Sequence, residues 1–405
     1  MQIEAIDLRL RLRNWSHMQT KTEERFFTKP VNLYYMLAGS TLLLSLLGLI
    51  MVFSASSIDS LEDKGSTYAI AARQLLFLVF SIPMAWVLSR ISLNHWKIIA
   101  RSGVVLSVVM LLFVQIFGNS TSGNQNWLSL GFIVIQPSEF AKFLMILWAG
   151  YILAKQQASG RIHANVLLLI APAFFLCMIL ILIGNDLGSA SVFGFILVGL
   201  LWVSGLKLRA FGFVLSAGFF ALAILVLTSP YRVQRFLAFV NPFAEDQYKL
   251  YGWQPAHSLL GLASGGFFGV GLGASRQKWG NLPEAHTDFI FSVIGEELGL
   301  FGTLATLFLI SILLFSIFKI AMRAQDPMVR YVSSGIGCWI GIQAVLNIGS
   351  AISVLPVVGV TLPLLSYGGS SLIATFIAIG FVLGAARRDP KIYKELQATG
   401  NRWLQ

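Results

Sequence analysis

The sequence predicts an all-α, polytopic membrane protein with about ten transmembrane helices, and three observations carry that prediction. Of its 405 residues 56% are hydrophobic and 12% charged, with a mean hydropathy of +0.75; soluble chains average about 25% charged. Apolar runs of about 20 residues recur along the chain, the length at which a helix crosses a bilayer with its backbone hydrogen bonds satisfied internally. Alternation at period two, the mark of a membrane barrel, is largely absent.

Residues 1–32 form a basic arm in which Arg9, Arg11 and Arg13 alternate with Leu8, Leu10 and Leu12. Such juxtamembrane bases suit anionic lipid or a partner. The arm lacks the apolar core and small-residue cleavage site of a signal peptide, so the N-terminus is expected in the cytoplasm. The membrane domain covers 33–386, with spans predicted at 33–54, 69–88, 99–117, 138–154, 166–183, 188–205, 211–228, 300–318, 331–353 and 368–386. A short tail, 387–405, follows. Basic residues collect on one side of these spans: Arg90, Lys97 and Arg101, then Lys155 and Arg161, Lys207 and Arg209, Lys319, Arg323 and Arg330, and Arg387, Arg388, Lys391, Lys394 and Arg402. That bias places both termini in the cytoplasm. It also explains the net charge of +11 without nucleic acid.

The opposite face then carries the polar features. They are the segment 118–137 with Trp127, a tight turn at Asp186, and a large extracytoplasmic loop, 229–299, between helices 7 and 8. A loop this long is usually functional. Within it Leu259–Val270 and Phe289–Ile294 are apolar but too short to span, and are expected to be re-entrant or interfacial. Glu296 and Glu297 argue that the eighth span begins near Leu300. The two cysteines, Cys177 and Cys338, sit in apolar runs and read as inert buried thiols.

The candidate chemistry begins at residues 281–291, Asn-Leu-Pro-Glu-Ala-His-Thr-Asp-Phe-Ile-Phe. In an extended segment Glu284, His286 and Asp288 point the same way and form a cluster able to hold a proton or a cation. A solvated loop ahead of a membrane helix fits the spacing equally well. Ionisable residues inside spans are costly and face a cavity or a partner. Arg73 and Lys142 lie just inside outer helix ends, and Glu139 and Lys142 are i, i+3 neighbours placed for an ion pair. Arg232, Arg235, Lys249, Arg276 and Lys278 add positive charge to the large loop, which suits phosphate or another anionic ligand. Gly269, Gly271 and Ala274 loosely match a dinucleotide fingerprint, but without strand-helix-strand context they read as glycines allowing close backbone packing.

Three motifs in order resemble one family. Gln136-Pro137-Ser138-Glu139, then Leu282-Pro283-Glu284-Ala285-His286-Thr287-Asp288-Phe289-Ile290-Phe291 with Gly295-Glu296-Glu297-Leu298-Gly299, then Gly359-Val360-Thr361-Leu362-Pro363 to Ser366-Tyr367-Gly368-Gly369-Ser370-Ser371 are similar to the SEDS proteins of shape, elongation, division and sporulation. Ala285 and Thr361-Leu362-Pro363 resemble the division branch more than the elongation branch. The resemblance implies a peptidoglycan glycosyltransferase that polymerises lipid II outside the cytoplasmic membrane, at the septum, beside a class B penicillin-binding protein transpeptidase and other divisome membrane proteins. It implies Asp288 as catalytic carboxylate, with Arg73, Trp127, Glu139, Lys142, Asp186, Arg232, Lys278 and His286 around the substrate cavity. Two departures stand out. Asn126 precedes Trp127 where the family commonly has Arg, and Gly184-Asn185-Asp186 lacks a usual proline.

An outer site has no access to nucleotides, so no nucleotide cofactor is expected and the donor must arrive activated. The expected reaction is inverting attack of an acceptor GlcNAc 4-hydroxyl on C1 of donor MurNAc, with Asp288 as general base. Arg73, Lys142, Lys278 or a divalent cation, Mg²⁺ or Mn²⁺, are candidate charges for the departing diphosphate. A lipid II flippase and a noncatalytic scaffold for a transpeptidase are the alternatives; a flippase needs a polar path open in turn to both faces.

Overall fold

The structure is a computed structural model that describes residues 29–402 apart from 122, 123, 130, 132, 133 and 161–165. Most of the predicted basic arm, residues 1–28, lies outside the described residues.

Each predicted span lies on one helix, overrunning its end by at most two residues. In chain order these are α1 (Pro30–Lys64), α2 (Ala69–Leu88), α3 (Leu93–Phe117), α4 (Pro137–Ala158), α5 (Val166–Ile183), α6 (Leu187–Val203) and α7 (Leu208–Leu227). After the large loop come α11 (Ile290–Arg323), α12 (Pro327–Ala351) and α13 (Gly369–Arg387), and α14 (Pro390–Arg402) closes the described chain. Among the described residues eight helices are long and apolar enough to cross a membrane. The other two predicted spans coincide with α4, which carries Glu139, Lys142 and Lys155, and with α6, which has 17 residues.

The fold departs from a purely helical one between α3 and α4. There β1 (Asn119–Thr121), β2 (Asn124–Ser129) and β3 (Val134–Ile135) form a three-stranded antiparallel sheet in the order β1-β2-β3. Its strands are too short and too polar to leave a readable period. The Gln125 amide donates to the Gly184 carbonyl at 3.1 Å, which ties the sheet to the α5–α6 turn holding Asp186.

The large loop is mostly helical: α8 (Pro230–Val240), α9 (Glu245–Tyr248) and α10 (Trp253–Ser264) precede a run of turns over residues 265–289. α11 is two helices in one, broken at Gly299 (φ 67°, ψ −160°). The expected start of the eighth span near Leu300 lies at this break. A broken helix strands backbone groups, and inside a membrane domain each must find a partner. Residues 266–271 supply them. The Val270 and Gly271 amides donate to the Glu296 and Glu297 carbonyls at 2.9 and 3.1 Å, and the Leu300 and Phe301 amides donate to Gly266 and Phe267 at 2.9 and 3.1 Å. A Cβ on Gly269 or Gly299 would collide with the facing backbone, so this close crossing requires glycine.

α12 and α13 are the most buried of the candidate spans. α12 packs on α4, α6 and α11, α13 packs on α2, and α11 packs on α1. α7 touches α6 and α8 and buries none of its side chains. One end of the bundle is laced by ions: Lys97 Nζ lies 3.2 Å from Asp326, Arg323 Nε lies 3.0 Å from Asp389, and Arg388 donates to the Ile91 carbonyl. The sheet, the Asp186 turn, the large loop and residues 352–368 gather at the other end, because successive helices run antiparallel.

Candidate active site

Asp288 sits in a loop whose backbone is fixed from two sides. Glu284 adopts a left-handed conformation (φ 58°), uncommon for a residue with a Cβ. It turns the chain so that its carbonyl accepts from the amides of Thr287, Asp288 and Phe289 at 3.2, 3.1 and 3.2 Å. The carbonyls of residues 286–288 are held by residues from α12 and the loop before α13. The Tyr367 amide donates to His286 at 2.9 Å, Ser366 Oγ to Thr287 at 2.5 Å, and Asn347 Nδ2 to Asp288 at 2.7 Å. Asn347 Nδ2 also donates to the Val360 carbonyl at 2.8 Å, so one amide group joins the Asp288 loop to the 355–361 segment.

This turn corrects the extended reading of the motif. Glu284, His286 and Asp288 do not share a face: Glu284 is exposed and accepts from Thr287 Oγ1 at 2.7 Å, His286 Nδ1 lies 3.3 Å from Asp59 Oδ2, and the Asp288 carboxylate lies against Gly359. The left-handed Glu284 breaks the alternation.

The Asp288 carboxylate accepts no hydrogen bond from a described residue, yet protein crowds most of it. That burial, with the Glu284 charge, pushes its carboxyl up to about 7, against the opposing pull of Arg235; Asp186 adds to the rise and His286 opposes it. A carboxylate half ionised near neutral pH and not engaged by donors is suited to accept a proton.

Asp186 caps α6, accepting from the Ser189 amide at 2.8 Å and from Gln136 Nε2 at 3.3 Å. Its carboxyl is also raised, chiefly by burial. Behind it Lys142 Nζ lies 2.7 Å from Glu139 Oε1, both nearly sealed from solvent, and donates to Gln343 Oε1 at 3.2 Å. Gln343 Nε2 passes this network to Thr361, donating to its carbonyl at 3.1 Å. Lys142 is therefore committed to an ion pair.

The remaining predicted residues are distributed more widely. Arg73 is exposed on α2; its buried neighbour Gln74 donates to the Ser366 carbonyl at 3.2 Å. Trp127 is half-buried on β2, opposite Asn119. Arg232 turns back to cap α7, donating to the Leu225 carbonyl at 2.8 Å. Lys278 is buried and lies 3.7 Å from Glu297 while donating to the Gly273 carbonyl at 2.6 Å. The cation felt by Asp288 from α8 is Arg235, one turn beyond Arg232. Gln343 and Asn347 went unread as site residues, although two amides one turn apart in an apolar helix are a signal. Among the described residues no group of three or more His, Cys, Asp or Glu side chains is placed to hold a metal ion.

Comparisons with known proteins agree with one another. The family model described as cell cycle protein, FtsW/RodA/SpoVE, matches residues 34–391. The probable peptidoglycan glycosyltransferase FtsW of Mycobacterium tuberculosis is 37% identical over 372 residues, covering 91% of this chain and 71% of that protein. The probable peptidoglycan glycosyltransferase FtsW of Coxiella burnetii is 38% identical over 355 residues, covering 85% and 94%. Stage V sporulation protein E of Bacillus subtilis is 34% identical over 362 residues, covering 89% and 98%. Among solved structures, a chain of a peptidoglycan synthase complex that coordinates polymerization and crosslinking superposes with a TM-score of 0.73 at 30% identity, covering 88% of this chain and 98% of that one. The rod shape determining protein RodA of Thermus thermophilus gives 0.65 at 30%, covering 87% and 96%. The chain belongs to the FtsW/RodA/SpoVE cell cycle proteins, the SEDS family of multi-pass membrane proteins.

Proposed function

We propose that this protein is a peptidoglycan glycosyltransferase that polymerises lipid II at the outer face of the cytoplasmic membrane during septal wall synthesis, working with a class B penicillin-binding protein. The observation that carries the reading is Asp288. Its backbone is clamped at three successive carbonyls while its carboxylate, raised to about 7, has no donor among the described residues. The positive-inside bias puts this end of the bundle outside, where an activated lipid-linked sugar is the available donor.

In the reaction the 4-hydroxyl oxygen of the acceptor GlcNAc bonds to C1 of the donor MurNAc as the C1–O bond to the diphosphate breaks. The bonding pair leaves with undecaprenyl diphosphate, the anomeric centre inverts, and the hydroxyl proton passes to Asp288. General base assistance contributes about 10²- to 10⁴-fold, and the fixed loop supplies positioning. A divalent cation would travel with the diphosphate of the substrate, since Mg²⁺ is commonly held by one or two carboxylates together with phosphates.

The test is polymerisation of lipid II by the purified protein with its transpeptidase partner. Wild type should form glycan and Asp288→Asn should lose at least about 10²-fold in rate. Undiminished polymer from the variant would remove Asp288 from the mechanism, and lipid II translocation in vesicles without polymer would make the protein a flippase.

A further inference from the structure

Of the four basic side chains that the resemblance sets around the cavity, Lys142 pairs with Glu139, Lys278 with Glu297 and Arg232 with a helix end, and Arg73 is exposed on α2. The departing diphosphate still needs positive charge. A cavity of about 180 Å³ opens beside Arg235, walled by Phe239 of α8, Leu250 and Tyr251, Gln254 at the start of α10, and Leu355 and Val357. Its far wall continues directly into the catalytic loop. Gly359, two residues past Val357, lies against the Asp288 carboxylate, and Val360 shares the Asn347 amide with Asp288.

We infer that the Arg235 cavity is a substrate subsite that takes an anionic group carried next to a sugar, held by the guanidinium and seated beside Asp288. The inference rests on the glycosyltransferase reading above and deepens it. About six waters would fill the volume, at about 30 Å³ each, which is room for a phosphate or a single ring, the rest of the substrate lying outside it. A guanidinium grips phosphate or carboxylate through two parallel hydrogen bonds. The apolar walls lower the local dielectric and strengthen that grip, while Tyr251 and Gln254 complete the lining. The same positive charge that would hold the anion draws the Asp288 carboxyl downward, so guanidinium and base share one field. Two parts of lipid II carry the required chemistry: its diphosphate and the carboxylates of its stem peptide.

The experiment uses full-length protein with its transpeptidase partner and compares wild type, Arg235→Gln, Arg235→Lys and Gln254→Phe. Arg235→Gln is expected to raise the KM for lipid II roughly 10- to 100-fold, the range for a lost charge-assisted hydrogen bond, with Tm unchanged and with partial recovery in Arg235→Lys. Gln254→Phe fills the cavity without touching a charge and is expected to raise KM as well. Direct binding of undecaprenyl diphosphate and of soluble disaccharide-pentapeptide, read by thermal shift, separates the sources: whichever ligand weakens in Arg235→Gln is the one the cavity holds. An unchanged KM in Arg235→Gln, or unchanged binding of both ligands, overturns the inference. Should Arg235→Gln lose Tm, Gln254→Phe decides alone, a raised KM supporting the subsite and an unchanged one overturning it. A wild-type protein that makes no polymer counts against the glycosyltransferase reading, while the two binding measurements still decide the subsite.

Discussion

Asp288 and the Glu296–Glu297 pair stand eight residues apart in one loop-to-helix passage, and the fold treats them in opposite ways. Glu296 accepts from Ser275 Oγ at 2.5 Å and from the Arg276 amide at 2.9 Å. Glu297 accepts from Ser54 Oγ at 2.6 and 2.7 Å and from the Ser275 amide at 3.3 Å, and it faces Lys278. Both glutamates are sealed from solvent, and their donors come from α1, from Ser264 at the end of α10 and from residues 275–278. Asp288 keeps partial exposure, has its backbone rather than its carboxylate bonded, and is pushed up to about 7. A carboxylate saturated with donors holds structure, whereas one left unsaturated on a rigid backbone is available for proton transfer.

The comparison breaks most visibly by removing one acid from each side. Asp288→Asn should cut the polymerisation rate by about 10²- to 10⁴-fold with no fall in Tm, because the amide keeps the shape and the carboxylate accepts no hydrogen bond from a described residue. Glu297→Ala should do the reverse. It strands Lys278 as an uncompensated buried charge, a loss of about 3–5 kcal/mol, read as a lower midpoint of thermal unfolding in detergent. The protein that remains folded should polymerise within about threefold of wild type, since no catalytic group is touched. Stability loss in Asp288→Asn, or rate loss without stability loss in Glu297→Ala, would reverse the assignment of the two sites.

The same contrast explains what sequence could and could not reveal. Bilayer-length apolar runs fixed the place of every long helix, because a spanning segment has no other way to satisfy its backbone. Glu296 and Glu297 marked the break near Leu300, since two buried acids cannot begin an uninterrupted span. What stayed hidden depended on rotation and turn geometry. Arg232 and Arg235 are neighbours three apart on α8, and only the fold sends the first to the Leu225 carbonyl and the second toward Asp288. Alternation predicted one face for Glu284, His286 and Asp288, but a left-handed residue at 284 is invisible without the backbone. Lys278 read as a phosphate ligand because its partner, Glu297, lies nineteen residues on in sequence and beside it only in space.

A sharper probe asks whether the rigid backbone matters for the reaction. Asn347→Ala removes the amide that bridges the Asp288 and Val360 carbonyls and leaves two buried acceptors short of a donor. The expected cost is about 1–3 kcal/mol of stability together with a fall in kcat of about tenfold from misplacement of the base. KM should hold steady, because Asn347 is buried and its amide is engaged by two backbone carbonyls. A raised KM with unchanged kcat would instead make Asn347 part of a binding surface.

The charges around Asp288 should show in the pH dependence of the reaction. Below about 7 the Asp288 carboxyl is protonated and cannot act as base, so kcat/KM should fall about tenfold for each pH unit below that point and level off above it. Four groups face this carboxyl: Glu284 and Asp186 raise it, and Arg235 and His286 lower it. Glu284→Gln removes one negative charge and keeps an oxygen to accept from Thr287 Oγ1. With less negative charge nearby the ionised form is favoured, so the acid limb should move to lower pH by less than about one unit. Because Glu284 is exposed, the displacement should shrink as salt is raised. An upward displacement, or one indifferent to salt, would mean that the titrating group in the profile is not the carboxyl beside Glu284.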